Sequence, residues 1–437
     1  MHLAQFIQRY PPALGGSEAY FSRLANYLTT QGDRVTIWTT TAERLEEFGQ
    51  RIVPQRPMSI VEVDGVEVRR YPPLLFPARR YLLKAASLIP IRSLQTLTLP
   101  CNPICPAMWR DAVTFRGPLD AVHATAFPYS FPIRCALRLA RRRNVPLFLT
   151  PFLHLGDPTN PRDRTRRQYT QPALRWLLQQ ADGVFVQTPS ERDAIIGIGV
   201  PERRVTLQGL GVDASECTGG NREAARRAWG IAFPPSAGGL RGVDGFTPPQ
   251  PSPQPGREPV IVGHLANNSV EKGTVDLLKA AETLWRNGTA FRVVLAGPEM
   301  PNFRNFWQTF AFKENVVRLG TLSEVQKRDF YAGIDLFALP SRSDSFGLVL
   351  LEAWANAKPV VAYRAGGPAD LVRDTIDGLL AACGDIPALA DGLQMLISQQ
   401  ELRLQMGEAG RQRVQHGFAW ADKLQIVRDT IAASFLG

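Results

Sequence analysis

A chain of 437 residues, 44% of them hydrophobic, holds more apolar mass than one core uses, because single cores rarely grow beyond roughly 250–300 residues; two domains of similar size are expected. The five cysteines are odd in number and scattered, which argues against a disulfide scaffold, and no uninterrupted apolar run reaches the length of about 18 residues that a spanning helix needs. The net charge of +10 resides wholly in residues 1–213, with 27 Lys+Arg against 17 Asp+Glu, while the remaining residues carry 23 of each and cancel.

In chain order, "LAQFI" reads as a strand, a glycine-rich turn follows, and "SEAYFSRLANYLTTQG" sets Tyr20, Leu24 and Leu28 on one helical face with Gly32 at the stop position. "RVTIWTT" is a second strand. The pairs "AVHA" with "FPIRCALRLARRRN", "VPLFLT" with "PALRWLLQQ", and "GVFVQT" with "SERDAIIGIG" repeat the rhythm. Strands alternating with helices argue for parallel βαβ units covered on both faces. Residues 232–258, dense in Pro and Gly, cannot build a core and read as an insertion near a domain junction. From Val260 the alternation resumes with "VIVGHL", "GTVDLLKAAETLWRNG", "FRVVLAG", "VVRLG", "SEVQKRDFYAGI", "DLFALP", "GLVLLEAWANA" and "KPVVAY". The expected division is an N-terminal Rossmann-like domain over 1–213, a linker over 214–258, a second such domain over 259–417, and a C-terminal helix in 418–437 packing back on the first domain. The start of the chain lacks a basic leader ahead of a long apolar run, so a cytoplasmic location is expected, or a peripheral one on the inner face of the cell membrane.

Ligands of open α/β sheets bind outside the carboxyl ends of the strands, so the loops after each strand are the places to look. In "PPALGGSEAY", Gly15 and Gly16 open a helix and suit either a structural turn or close approach to a diphosphate. In "TPFLHLGDP", His154 and Asp157 follow a strand, His154 being either a structural hydrogen-bonding residue or a functional one. In "GHLANNSVEKG", His264 ends a strand, while Lys272 and Gly273 open a helix where ammonium and amides could converge on an anion or simply meet solvent. In "LPSRSDSFGLVLLEAW", Asp344 precedes a helix start and Glu352 lies one to two turns inside it; a solvated loop acid and an ordinary helical glutamate is the bland alternative, which the apolar surroundings of Glu352 disfavour. Cys101 and Cys105 stand four apart with no further ligand nearby, so buried or half-buried thiols are expected rather than zinc.

Taken in order, these loops resemble the retaining glycosyltransferases of family 4 with the GT-B fold, in which two Rossmann-like domains with parallel sheets face each other across a nucleotide-sugar cleft. The similarity runs through "GGSEAYFSRLANYLTTQGDRVTIWTT", "VFVQTPSERDAIIGIGVPERRVTLQGLGVD" and "LPSRSDSFGLVLLEAWANAKPVVAYRAGGPADLVRDTIDGLL", and so covers nearly the whole chain. Asp344 and Glu352 have the spacing of the family's paired acids. The resemblance implies that Glu352 holds the ribose hydroxyls of a UDP- or GDP-sugar and that Asp344 contacts the donor sugar. It further implies that the amides around Ser345, Phe346, Gly347 and Leu348 bind sugar or diphosphate, and that Lys272 neutralises the departing diphosphate. Gly15 and Gly16 would close over that diphosphate, and His154 would lie near the sugar. Catalytic roles thus fall to His154, Lys272 and Asp344, with no metal and no cofactor beyond the donor.

The chain departs from the family pattern in three ways: Asp344 stands where Glu is usual, His264 where Arg is usual, and the 232–258 insertion has no counterpart. A protonated His264 would partly replace the missing arginine. The expected activity is retaining transfer of a hexose-type sugar to a glycan, lipid-linked or polysaccharide hydroxyl; the alternative is a catalytically impaired nucleotide-sugar-binding or partner subunit. The mixed basic and apolar segment 69–92 suggests contact with an anionic membrane surface or, equally, an ordinary packed helix and loop. Nucleic acid is not an expected partner, because the basic residues lack interleaved aromatics or a recognisable module.

Overall fold

The computed structural model describes residues 1–13, 15–50, 55–231 and 258–435; all but Glu258 of the expected insertion lies outside them. Two compact units result: Met1–His154 with Arg162–Gly209 and the chain from Ala421, and, separately, Leu155–Pro161 with the described part of Leu210–Trp420.

The first unit is built on an eight-stranded sheet, β1 (His2–Phe6), β2 (Arg34–Thr40), β3 (Ser59–Val63), β4 (Val66–Tyr71), β5 (Ala121–Ala124), β6 (Leu147–Leu149), β7 (Gly183–Val186) and β8 (Val205–Leu207), in the spatial order β3-β4-β2-β1-β5-β6-β7-β8. Its central strands are apolar on both faces, with Leu3, Phe6, Ile37, Val122 and Leu149 wholly buried, as helices covering both sides of a parallel sheet require. The sheet is not purely parallel. Edge strand β3 runs antiparallel to β4, pairing Val63 with Val66, because Asp64 and Gly65 take φ values of 52° and 75° and form the two-residue hairpin turn that an Asp-Gly step favours. The helix Trp420–Ala433 belongs to this unit from Ala421 on; there Arg428 Nε meets Asp33 Oδ2 at 2.7 Å.

The second unit contains a six-stranded, all-parallel sheet, β9 (Val260–Leu265), β10 (Phe291–Ala296), β11 (Val316–Gly320), β12 (Leu336–Leu339), β13 (Val360–Tyr363) and β14 (Gly378–Ala381), in the order β11-β10-β9-β12-β13-β14. The chain winds outward from β9 to β11, then returns to lay β12 on the other side of β9. The boundary between β9 and β12 is therefore a topological switch point, where the loops at the carboxyl ends diverge and leave a crevice. The stretch 214–231, expected to be linker, belongs to this unit instead. Its helix Arg222–Ala228 carries Arg226, 1% exposed, whose guanidinium reaches Gly333 O (2.9 Å), Glu258 Oε2 (2.6 Å) and Asp335 Oδ2 (2.7 Å). A buried guanidinium satisfied this fully ties its helix to the sheet.

Candidate functional site

The loops after β9 and β12 leave neighbouring strands, with Leu336 paired to Val262 and Phe337 to Gly263. After β9 the chain passes Ser269, whose Oγ accepts from Lys272 N–H at 3.1 Å, and turns at Gly273 into the helix Thr274–Arg286. Gly273 has φ +75°, and a Cβ there would fall 1.8 Å from the carbonyl oxygen of Pro340. Only glycine lets the lysine loop press against the backbone that leads into Ser341–Gly347. That contact brings together two segments 71 and 72 positions apart: Lys272 Nζ lies 3.4 Å from Ser343 O and 2.7 Å from Asp344 Oδ2.

The second loop is held from several sides. Asp344 Oδ1 accepts from Phe346 N–H at 3.2 Å, and its carbonyl accepts from Gly367 N–H at 2.8 Å. Arg342 donates its Nε and Nη2 to Asp276 Oδ2, at 3.1 and 2.5 Å, and Tyr363 O–H reaches the same oxygen at 3.1 Å. Gly347, with φ +92°, begins the eight-residue helix Leu348–Ala355. The first N–H groups of such a helix have no partners within it and carry the positive end of its dipole. Phe346 is buried, while Ser345 and Leu348 are half-buried. The Phe346 amide is already engaged by Asp344, so the amides of Gly347 and Leu348 are better suited to an incoming anion than the sequence reading, which grouped all three, had it.

Glu352 sits on the second turn of that helix with its side chain 12% exposed. Its Oε2 accepts from Tyr331 O–H at 2.7 Å, and its Oε1 lies 3.2 Å from Lys327 Nζ. Burial, reinforced by the Glu352 carboxylate, pushes the Tyr331 phenol well above its ordinary pKa. Burial pulls Lys327 down, but Glu352 and Glu324 more than offset it and leave the ammonium above its usual value. Both groups are thus firm donors to the carboxylate. Sequence reasoning missed them, although Lys327 and Tyr331 stand four apart on one face of the helix Glu324–Gly333.

His264 is the clearest correction. It is fully buried, with Nδ1 2.8 Å from Ala338 O and Nε2 2.9 Å from Thr274 Oγ1, while Ser269 N–H donates to Thr274 Oγ1 at 3.1 Å. A carbonyl only accepts, so Nδ1 carries the proton and Nε2 accepts from the threonine, a closed chain that fits neutral imidazole. Burial lowers its pKa to about 4. It therefore cannot stand in, as a cation, for the arginine that the sequence comparison found wanting, nor reach a donor as a binding residue; it is an internal strut between β9 and β12.

The other expected site residues belong to the first unit. The His154 ring packs 4.7 Å from that of Tyr169. Gly15 caps the helix Gly16–Thr30, and a Cβ on Gly16 would meet nothing within 4 Å, so the chain's own packing does not demand glycine there. In the first turn of that helix, Glu18 is 2% exposed and bound by Arg9 Nη2 at 2.7 Å, Ser17 Oγ at 2.8 Å and Gln8 Nε2 at 3.2 Å. The half-buried Cys101 and the buried Cys105 donate their thiols to the carbonyls of Pro128 and Tyr71, at 3.6 and 3.7 Å.

Against this geometry, two family profiles match the chain: "Glycosyl transferases group 1" over residues 250–413 and "Glycosyl transferase 4-like domain" over residues 15–211. A D-inositol 3-phosphate glycosyltransferase of Nocardia farcinica is 25% identical over 99% of this chain and 88% of its own. Among solved structures, the sucrose-phosphate synthase of Thermosynechococcus elongatus superposes with a TM-score of 0.71 at 20% identity, covering 99% of both chains. Anabaena HepE in complex with UDP-glucose gives 0.67 at 18% identity, over 99% of this chain and 100% of that one. These last two likenesses establish the shared two-domain architecture.

Proposed function

Since the chain belongs to the group 1, family 4 glycosyltransferases with the GT-B fold, we propose that it transfers a hexose-type sugar, with retention and without a metal ion, from a UDP- or GDP-sugar to a hydroxyl of a glycan, lipid-linked or polysaccharide acceptor. The observation that carries the reading is the meeting of Lys272 with Asp344 across the loops that leave β9 and β12 at the switch point, with Glu352 on the helix that continues the second loop. A carboxylate such as Glu352 accepts two hydrogen bonds at once and suits the vicinal hydroxyls of a ribose. Lys272 and the helix start suit the diphosphate. The Lys272–Asp344 pair, with side chains 25% and 19% exposed, contributes on the order of 1 kcal/mol, little enough for an incoming diphosphate to draw the ammonium away and free Asp344 for a sugar hydroxyl.

Transfer breaks the bond between the sugar C1 and the diphosphate oxygen, forms one from C1 to the acceptor oxygen on the same face, and passes the acceptor proton to the departing diphosphate. In this reading electrostatic stabilisation of that leaving group by Lys272 and the helix start is the dominant contribution. Asp344 and Glu352 bind hydroxyls rather than act as the acid and nucleophile of a glycosidase. His154 and the Gly15–Gly16 loop are assigned by resemblance to the sugar and the diphosphate. The base is read by backbone near Arg318–Gly320. No helix among the described residues is long and apolar enough to cross a membrane; a cytoplasmic protein that touches the inner membrane surface through part of 69–92 is our reading.

The buried, neutral His264 favours one competing reading, a donor-binding partner subunit with weakened catalysis. Purified protein incubated with a panel of UDP- and GDP-sugars and acceptors should release nucleoside diphosphate, and Glu352→Gln should slow release by about tenfold or more, the loss of one hydrogen bond to a charged group. Absence of release together with absence of nucleotide binding by calorimetry rejects the transferase; binding without release selects the subunit.

A further inference from the structure

The Glu352 carboxylate is held as part of a small assembly. The end of its helix is tied down by Asn356, whose Nδ2 donates to the Glu352 carbonyl at 2.9 Å and to the Cys217 carbonyl at 3.0 Å. Its two oxygens take different donors, Tyr331 O–H at 2.7 Å on Oε2 and Lys327 Nζ at 3.2 Å on Oε1. Both donors come from the helix Glu324–Gly333, whose start is fixed by a reciprocal cap in which Gln326 N–H donates to Ser323 Oγ and Ser323 N–H to the Gln326 side chain. Lys327 Nζ is itself steadied by Glu324 Oε2 at 3.0 Å.

A carboxylate offers about four acceptor positions, and two are taken. With 12% of the side chain exposed, the edge that remains accessible has room for about two further donors, the number that a ribose 2′,3′-diol supplies. We propose that Tyr331 and Lys327 are positioning residues that fix the plane of the Glu352 carboxylate and leave it incomplete by two donors, making the site selective for ribonucleotides over 2′-deoxyribonucleotides. This rests on the reading of Glu352 as the ribose contact. A deoxy ligand leaves one half-buried acceptor without its partner, and discrimination arises chiefly from that unmade bond. A carboxylate freed of Tyr331 can rotate toward whichever donor remains, and discrimination falls.

The test is calorimetric titration of the full chain with UDP, GDP and their 2′-deoxy forms. Wild-type protein should bind the ribo form of its preferred base about tenfold or more tightly than the deoxy form. Tyr331→Phe, which keeps the ring and loses the hydroxyl, should weaken the ribo form by about tenfold, leave the deoxy form nearly unchanged and so collapse the ratio. Lys327→Gln should reduce the ratio in the same direction, and decides the matter if Tyr331→Phe does not fold. Variants that weaken both forms equally, or that keep the wild-type ratio, overturn the positioning role. Wild-type protein that binds ribo and deoxy forms equally removes Glu352 as the ribose contact, a failure of the underlying reading that the variants are not needed to detect.

Discussion

His264 shows how a residue can be legible in type and misleading in role. In "VIVGHL" it closes a predicted strand next to a basic loop, and the resemblance makes it a donor-binding cation. Yet β9 lies in the middle of an all-parallel sheet, where both faces are covered and the residues from Ile261 to His264 are buried; the position of the strand in the sheet, which one sequence does not reveal, decides the matter. The consequence is measurable. The folded pKa of about 4 lies below the ordinary 6.5, so between these values the unfolded chain binds a proton that the folded chain does not, and stability falls as pH is lowered through that window. Linkage gives a loss of about 2 kcal/mol between pH 7 and pH 5 from this residue alone. Chemical denaturation at the two pH values should show His264→Gln losing less stability on acidification than wild type; equal losses would mean that His264 is not buried neutral. The places of Lys272 and Asp344 in loops and of Glu352 in the helix that follows were legible because these segments leave strand ends, where position along the chain and position in space agree. Tyr331 and Lys327 were not, because nothing in "SEVQKRDFYAGI" indicates which helix lies against which.

At the scale of elements, the rhythm of strand and helix was readable wherever apolar runs were long, and the Asp64–Gly65 hairpin was missed although its turn residues are explicit. The segment 69–92 illustrates what spacing cannot supply. Three of its basic residues face inward: Arg69 stacks 5.3 Å from the Trp38 ring and 5.1 Å from that of Phe115, Arg70 reaches Tyr10 O, and Arg79, 5% exposed, donates to Pro100 O. In our reading of a membrane contact, the surface that would make it narrows to residues 80–92. There Tyr81 and Leu88 are each 76% exposed, with Leu82, Ile89 and Ile91 also outward and the exposed Arg80, Lys84 and Arg92 beside them. Each such cation near an anionic leaflet is worth about 1 kcal/mol, and apolar side chains at this density add insertion. Co-sedimentation with vesicles containing anionic lipid should retain the wild-type chain, and Arg80→Glu with Lys84→Glu should release it by a factor of about ten to a hundred, while neutral vesicles bind weakly. Failure of the wild type to bind either vesicle removes the membrane as a partner.

For the whole molecule, the sequence implied two similar α/β units, and charge and composition separated them: the excess of basic residues lies before 214 and the paired acids lie after it. The grouping of Leu155–Pro161 with the second unit was beyond reach, because long-range contacts of that kind leave no periodicity to read. Since Lys272, Asp344 and Glu352 all belong to the second unit, nucleotide should stabilise chiefly that unit. A ligand at a hundred times its Kd adds about 2.7 kcal/mol to the state that binds it, and for a unit of this size each kcal/mol moves the melting temperature by roughly 2–4 °C. A thermal scan with UDP or GDP should therefore raise one transition by roughly 5–10 °C. Asp344→Ala should keep most of that shift, because in our reading Asp344 meets the sugar rather than the nucleotide, whereas Glu352→Gln should lose about half of it, as a tenfold weaker Kd requires. The reverse pattern would exchange the roles of the two acids, and a chain whose transitions neither nucleotide moves does not bind its donor through this site.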